Sequence, residues 1–440
     1  MQVSIEPGKI AGDVTIIPSK SNLHRLLIVA ALADGETQIR SGRTEAEDVE
    51  ATCACLRALG AEIERVADGF KVRPIDRSAL PQTAVLPVRE SGSTLRFMLP
   101  VVCALGVNGE FHMAGRLPER PMHPLDSELI KKGINLTRPQ PDILRCAGQL
   151  QAGNFEIPGD ISSQYITGLL LALPLLAEDS RLTIHAPIES EDYIEMTLEV
   201  LAAFGAIPAK VENSYQIKGG DSFKSPGTVS AEGDWSNAAF WLCAGAMPGG
   251  EVKLRGLNPK SRQGDKEACS VLTQMGANVR WDGDIVSVTE GLRQGVEIDA
   301  TAIPDLIPVL SAVAAVSEGT TIVRNAGRLR LKESDRLTAT AQTLNALGAK
   351  VIEQADGLEI EGVRHLTGGT VDSWGDHRIT MMAAIASAAC TEPVTITGAE
   401  AVRKSYPQFW RELERLGKHV TIVGADGNPP APQKRLEITP

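Results

Sequence analysis

The sequence predicts a mixed α/β fold assembled from six copies of one unit, and three recurrences in the chain carry that reading. A helix end, a glycine and a strand recur as LRALGAEIERV, IKKGINLTR, LAAFGAIPAKV, LTQMGANVRW, LNALGAKVIEQ and LERLGKHVTIV. Their glycines, Gly60, Gly133, Gly205, Gly276, Gly348 and Gly417, follow one another at spacings of 73, 72, 71, 72 and 69 residues. A near-constant period marks an internal repeat, and a glycine there suits the left-handed residue that ends a helix before a strand. In the same register a strand, a loop and a helix of small residues recur, as in VTIIPSKSNLHRLLI, FEIPGDISSQYITGLL and VDSWGDHRITMMA. A strand, a loop and the helix leading to the repeat glycine recur as well, as in TQIRSGRTEAEDVEA, FHMAGRLPERPMHPL and IVRNAGRLRLKESD.

Each unit therefore holds about two helices and several strands. Alternation in LTIHA, VKLRG and TVSAE reads as strands with one buried face. At 440 residues the chain is too long for one ordinary core, and two domains of about 200 residues are expected. Six units divide naturally into three and three. Residues 18–229 are expected to form one domain, and residues 1–17 with 230–440 the other. The chain then crosses between them near Thr15–Lys20 and near Gly227–Asp234, with the leading strand packed on the second half. The tail from Gly424, rich in Pro and Gly, is expected to be peripheral.

The net charge of −11 and the 4% aromatic content argue against nucleic acid or an anionic membrane as partner. Any anion site must come from a local cationic pocket. The seven scattered cysteines, with no C-x-x-C pair, fit buried thiols in a reducing cytosol. The N-terminus lacks the pattern of a secretory signal, and every apolar run is interrupted before it reaches membrane length. A soluble, cytoplasmic, monomeric protein acting on small molecules is expected.

Candidate residues fall at the strand-to-helix junctions. PSKSNLHR holds Lys20, Ser21 and Arg25; it lacks the glycines of a P-loop. Gly92 and Arg96 lie in ESGSTLR, where glycine permits close approach of a ligand to the backbone. Arg116, Glu119 and Arg120 lie on a proline-stiffened loop, and arginine matches phosphate or carboxylate with two parallel bonds. Ser162, Ser163 and Gln164 open an apolar helix, and Asp305 sits among apolar residues. In LKESDRL, a helix would place Lys332 and Arg336 on one face with Glu333 beside them; Ser334 and Asp335 read as caps. Asp376, His377 and Arg378 open another helix, and Lys404 follows in RKSYP. Taken singly, each motif also reads as an ordinary cap or a solvated charge. Together, at matching junctions of one repeat, they favour a site for a polyanion, because helix N-termini attract anions. No nucleophile elbow and no H-x-x-x-H pair completes a hydrolase or zinc site.

These motifs, in this order over nearly the whole chain, resemble the 5-enolpyruvylshikimate-3-phosphate synthase family. The resemblance implies a two-domain inside-out α/β barrel, each domain three copies of a βαβαββ-type unit. It implies transfer of the enolpyruvyl group of phosphoenolpyruvate to the 5-hydroxyl of shikimate 3-phosphate, with loss of phosphate and without metal or organic cofactor. Carried over, Ser162, Ser163 and Ser190 hold the shikimate phosphate, and Ser21 and Arg25 its carboxylate. Arg120, Gln164 and Lys404 hold the other phosphate, with Lys20 between the two substrates. Arg336 and Arg378 clamp the phosphoenolpyruvate carboxylate, and Gly92 lines its site. Asp305 takes the hydroxyl proton with Lys332 alongside, and Glu333 protonates the methylene carbon. Opposite environments are expected to push the pKa values of these two carboxyls apart.

Three places depart from the family pattern: Glu90-Ser91-Gly92-Ser93-Thr94 replaces Asn-Ala-Gly-Thr-Ala, Glu191-Asp192 replaces Lys-Pro, and Arg328 replaces an asparagine. The nearest rival is UDP-N-acetylglucosamine enolpyruvyl transferase, which typically carries a loop cysteine where residues 116–123 here have none. A non-catalytic binder of phosphorylated metabolites is the rival of another class, and the joint presence of Lys20, Asp305, Glu333, Arg336 and Arg378 speaks against it.

Overall fold

The computed structural model describes residues 1–42, 44–220 and 223–423; the tail from Gly424 lies outside them. The strands form six four-stranded sheets of one topology. In the third, Asn154–Pro158 runs parallel to Ser180–His185, which pairs antiparallel with Ser214–Ile217, itself antiparallel to Ala209–Val211. The helices Ser163–Ala172 and Glu191–Ala203 lie between these strands in the chain, which completes the βαβαββ unit. Each repeat glycine has a positive φ, from 80° at Gly205 to 104° at Gly60. The backbone at that position is the one a side chain would strain.

The helices occupy the inside. All ten residues of His377–Ala386 and all eight of Ile307–Ala314 are buried; beyond the His377–Arg378 start of the first, both are apolar on nearly every side. The sheets lie outside them and alternate buried and exposed residues, as Glu251–Arg255 does. Two apolar clusters result. One gathers Val3 to Ile16 with Trp235 to Val420, the other Leu23 to Phe223.

Three strands leave their own repeat. Ala11–Thr15 precedes the helix Lys20–Ala31 yet runs parallel to Glu251–Arg255 in the second half. Thr228–Ser230 does the reverse, pairing with Thr37–Arg40. Gln2–Ile5 inserts between Val394–Thr397 and Val420–Val423. The two connections lie side by side: Ser19 N donates to Glu232 O at 2.8 Å and Asp234 N to Ile17 O at 2.9 Å.

Lys418 fastens the N-terminal segment. It is 4% exposed, and its Nζ donates to Gly8 O at 3.0 Å and Ser387 O at 3.4 Å. Burial lowers its pKa from 10.5 to about 8. Between those values the unfolded chain holds a proton that the folded chain has released, so stability rises with pH there; below about pH 8 the full cost of the buried charge is present. Lys418→Met is expected to remove that rise, on the order of 2–3 kcal/mol. Thermal unfolding of both proteins from pH 7 to 10.5 checks it, and an identical rise in the variant rules it out.

Candidate active site

Five capped helix N-termini meet at one cleft. Ser19, Ser91 and Ser162 accept from Asn22 N, Thr94 N and Gln164 N, each at 3.3 Å. Asp335 accepts from Thr338 N at 3.2 Å, and Asp376 from Arg378 N at 2.9 Å. A cap satisfies one free N–H and leaves others, with the positive end of the helix, directed at the cleft. The cleft is lined by Lys20, Ser21, Arg25, Gly92, Arg120, Ser162, Ser163, Gln164, Ser190, Asp305, Lys332, Glu333, Arg336 and Arg378. Most of the predicted site residues are therefore brought together, but Lys404 is not among them, and Arg116 and Glu119 are not either. These two face each other in solvent, Arg116 Nε 3.6 Å from Glu119 Oε2, because their loop turns only Arg120 into the cleft. Lys404 is set behind the wall, its Nζ 2.6 Å from Glu90 Oε2 and donating to Gly375 O at 2.7 Å.

Arg336 is the centre of the acidic wall. It is 1% exposed, and three carboxylates share its fork. Nη1 donates to Asp305 Oδ1 at 2.7 Å, Nη2 to Glu333 Oε2 at 2.8 Å, and Nε to Asp376 Oδ2 at 2.8 Å. Arg378 Nη2 reaches Asp305 Oδ2 at 3.1 Å, and Lys332 Nζ lies 3.5 Å from Asp305 Oδ1. Across the cleft, Arg120 Nη1 lies 3.5 Å from Glu333 Oε1.

Two local expectations are corrected here. The helix begins at Arg336, not at Lys332. Residues 332–335 form the link from the 3-10 turn Gly327–Leu331, so Lys332 and Arg336 share no helix face. They converge on Asp305 through tertiary packing instead. Asp335 is the cap, but Ser334 is not: its hydroxyl donates to Asp376 Oδ2 at 3.0 Å, because the carboxylate of Asp335 already takes the capping position.

On the opposite wall Arg25 is held by the protein, donating to Ser21 O at 2.6 Å, Thr197 Oγ1 at 2.8 Å and Tyr193 O at 2.9 Å. Arg96 Nη1 donates to Gln164 Oε1 at 3.0 Å. A Cβ at Gly92 would stand 2.5 Å from Arg96 Nη1 and 2.8 Å from Arg120 Nη1, so the glycine lets both guanidinium groups close over the helix start. Lys20 Nζ pairs with Asp48 Oδ2 at 2.7 Å. Arg328 pairs with Glu189 and donates to Ser190 Oγ at 3.0 Å. The cleft wall also includes Asp48, Ser93, Arg96, Tyr193, Arg328 and His377. Asp48 was findable: it lies in TEAEDVEA, the first unit's counterpart of the LKESDR junction.

The electrostatics depart from expectation. Burial would push the Asp305 carboxyl up, but Arg378, Lys332 and Arg336 outweigh it and hold the group well below the usual range. Glu333 behaves alike, burial being outweighed chiefly by Arg336 and Arg120, with Lys332 adding to them. Both carboxyls are thus held ionised, and both shift the same way rather than in opposite directions, because one cationic cluster serves both. Burial, with Lys20 second, lowers His377 to about 3, so its ring is neutral. Among the described residues no cluster of three His, Cys, Asp or Glu could hold a metal ion, and no helix is long and apolar enough to cross a membrane.

A family model described as EPSP synthase (3-phosphoshikimate 1-carboxyvinyltransferase) matches residues 5–413. A protein of Clostridium acetobutylicum named 3-phosphoshikimate 1-carboxyvinyltransferase is 43% identical over 423 residues, covering 95% of this chain and 98% of the relative. One of that name from Clostridium kluyveri is 41% identical over 420 residues, with the same coverage. The solved EPSP synthase of Acinetobacter baumannii superposes with a TM-score of 0.78 at 27% identity, over 96% of this chain and 100% of that one. The enolpyruvyl transferase NikO of Streptomyces tendae superposes with a TM-score of 0.76 at 19% identity, over 96% and 98% of the two chains, a likeness of fold alone.

Proposed function

The chain belongs to the EPSP synthase family, and from that premise we propose that it transfers the enolpyruvyl group of phosphoenolpyruvate to the 5-hydroxyl of shikimate 3-phosphate, releasing phosphate. The observation that carries this reading is the pairing of Asp305 and Glu333 through one buried arginine, in a cleft ringed by helix N-termini and guanidinium groups. The two halves, 18–229 and 1–17 with 230–440, each supply one wall. The first holds shikimate 3-phosphate: Ser162, Ser163 and Ser190 take its phosphate, with Arg328 beside Ser190. Ser21 and Arg25 take its carboxylate. Arg120, Gln164 and Lys404 take the phosphate of phosphoenolpyruvate, Arg336 and Arg378 its carboxylate, and Lys20 stands between the substrates.

Glu333 gives a proton to the methylene carbon, which makes a cation-like centre. The 5-hydroxyl, losing its proton to Asp305 beside Lys332, attacks that centre to form a tetrahedral ketal. Loss of phosphate and of a methyl proton restores the enolpyruvyl group. Glu333 is ionised without substrate, so it must gain a proton first. A substrate carboxylate on Arg336 and a phosphate on Arg120 cancel the two cations that hold its pKa down, and the closed cleft then favours the neutral acid. Asp305 keeps Lys332 beside it, a cation that no substrate anion of this reading takes, and stays a base.

Purified protein given phosphoenolpyruvate and shikimate 3-phosphate is expected to release inorganic phosphate. Release with UDP-N-acetylglucosamine and none with shikimate 3-phosphate overturns the assignment. On the same reading the protein works in the cytoplasm as a monomer; the seven free cysteines, of which six are buried, suit a reducing compartment.

A further inference from the structure

Glu90 stands one residue before the cap Ser91 and two before Gly92 of the cleft wall. Its carboxylate joins three segments behind that wall. It leads into the helix Gly92–Ala104 that carries Gly92 and Arg96. It lies against Gly115, where a Cβ would fall 1.4 Å from Glu90 Oε1, at the head of the loop that carries Arg120. It also takes Lys404 of the other half at 2.6 Å, while Lys404 donates to Gly375 O in the turn before Asp376. The pair is unequal in exposure: the Lys404 side chain is 10% exposed and that of Glu90 33%. A buried ammonium needs an anion beside it, whereas a carboxylate a third exposed can turn to water at little cost. Of the two, the carboxylate is the one free to leave.

We propose that Glu90 is the internal counter-anion of Lys404, a positioning residue that sets the affinity of the cleft for the phosphate of the three-carbon substrate by competing with it for the ammonium. This rests on the reading that Lys404 serves that phosphate. An incoming phosphate meets a lysine already neutralised, and a carboxylate that repels it until displaced.

The test is Glu90→Gln in the full chain, with Glu90→Ala as the second variant should the first fail to fold. Kinetics with both substrates and calorimetric titration with inorganic phosphate are read in parallel, in the parent and in a Lys404→Met background. Glu90→Gln is expected to lower KM for phosphoenolpyruvate and Kd for inorganic phosphate by roughly three- to tenfold. No matching change is expected in KM for shikimate 3-phosphate, nor any in the Lys404→Met background. A rise in KM for phosphoenolpyruvate, or a change that persists without Lys404, overturns the proposal. If neither substrate is turned over, the functional reading has failed on its own account. The phosphate titration then still decides: tighter binding that depends on Lys404 supports the counter-anion role, and unchanged binding removes it.

Discussion

Arg336→Met is expected to destabilise the folded chain by about 3–5 kcal/mol and to abolish turnover. The guanidinium neutralises Asp305, Glu333 and Asp376 at once, and Asp376 is fully buried. Methionine fills similar space but leaves three carboxylates facing one another with only Arg378, Lys332 and Arg120 nearby. Taking one partner from a buried ion pair costs more than the pair contributes, since the remaining charge has lost both water and partner. Asp376 also caps the helix His377–Ala386, so its repulsion from Glu333 is transmitted to the helix start that positions Arg378. Urea unfolding reads the result as a fall in midpoint at constant slope. An unfolding free energy within about 0.5 kcal/mol of the parent's excludes this account of the site. Arg336→Lys separates charge from shape: it keeps the cation but cannot offer a fork to three acceptors, and an intermediate loss is expected.

Glu333→Gln is expected to lower kcat by roughly 10²–10⁴ while KM for both substrates moves little. The amide keeps the size and can still contact Arg120, but it has no proton to give to carbon. Because Glu333 begins ionised under the influence of Arg336 and Arg120, the variant also removes a negative charge from beside the substrate carboxylate, so binding is not expected to weaken. Stability should change far less than in Arg336→Met, since Arg336 retains Asp305 and Asp376. Phosphate release in single-turnover experiments measures the effect. Undiminished release removes Glu333 from the mechanism.

The local grammar of the chain was legible before any fold. The repeat glycines, the capped helix starts at Ser162 and Asp376, and the clustering of charge at strand-to-helix junctions depend on residues a few positions apart. Periodicity and capping are near-neighbour physics, and six repetitions made them plain. The unit of two helices and several strands and the candidate junctions follow from that register, whereas the βαβαββ order was implied by the family resemblance. Asp48 lies at one of those junctions but was not among the candidates.

Other features required the folded chain. Lys332 joins the cleft from an extended link, although its spacing from Arg336 suggested a common helix face. The strands Ala11–Thr15 and Thr228–Ser230 each pair in the other half; the crossings were expected from the repeat, but the partner strand and its register were not. Lys404 is held by Glu90, 314 positions away (404 − 90). Above all, LKESDRL showed which charges were present but not how they are shared. Arg336 reaches Asp305 and Asp376 at separations of 31 and 40 residues, and Arg120 faces Glu333 at 213. Those distances set both carboxyls low, where opposite environments had been expected. The sequence alone determined the repeat, the helix starts and the residue types at the site; only the tertiary structure decided the ionic partners, because Coulomb energy depends on separation in space and on the water that folding removes.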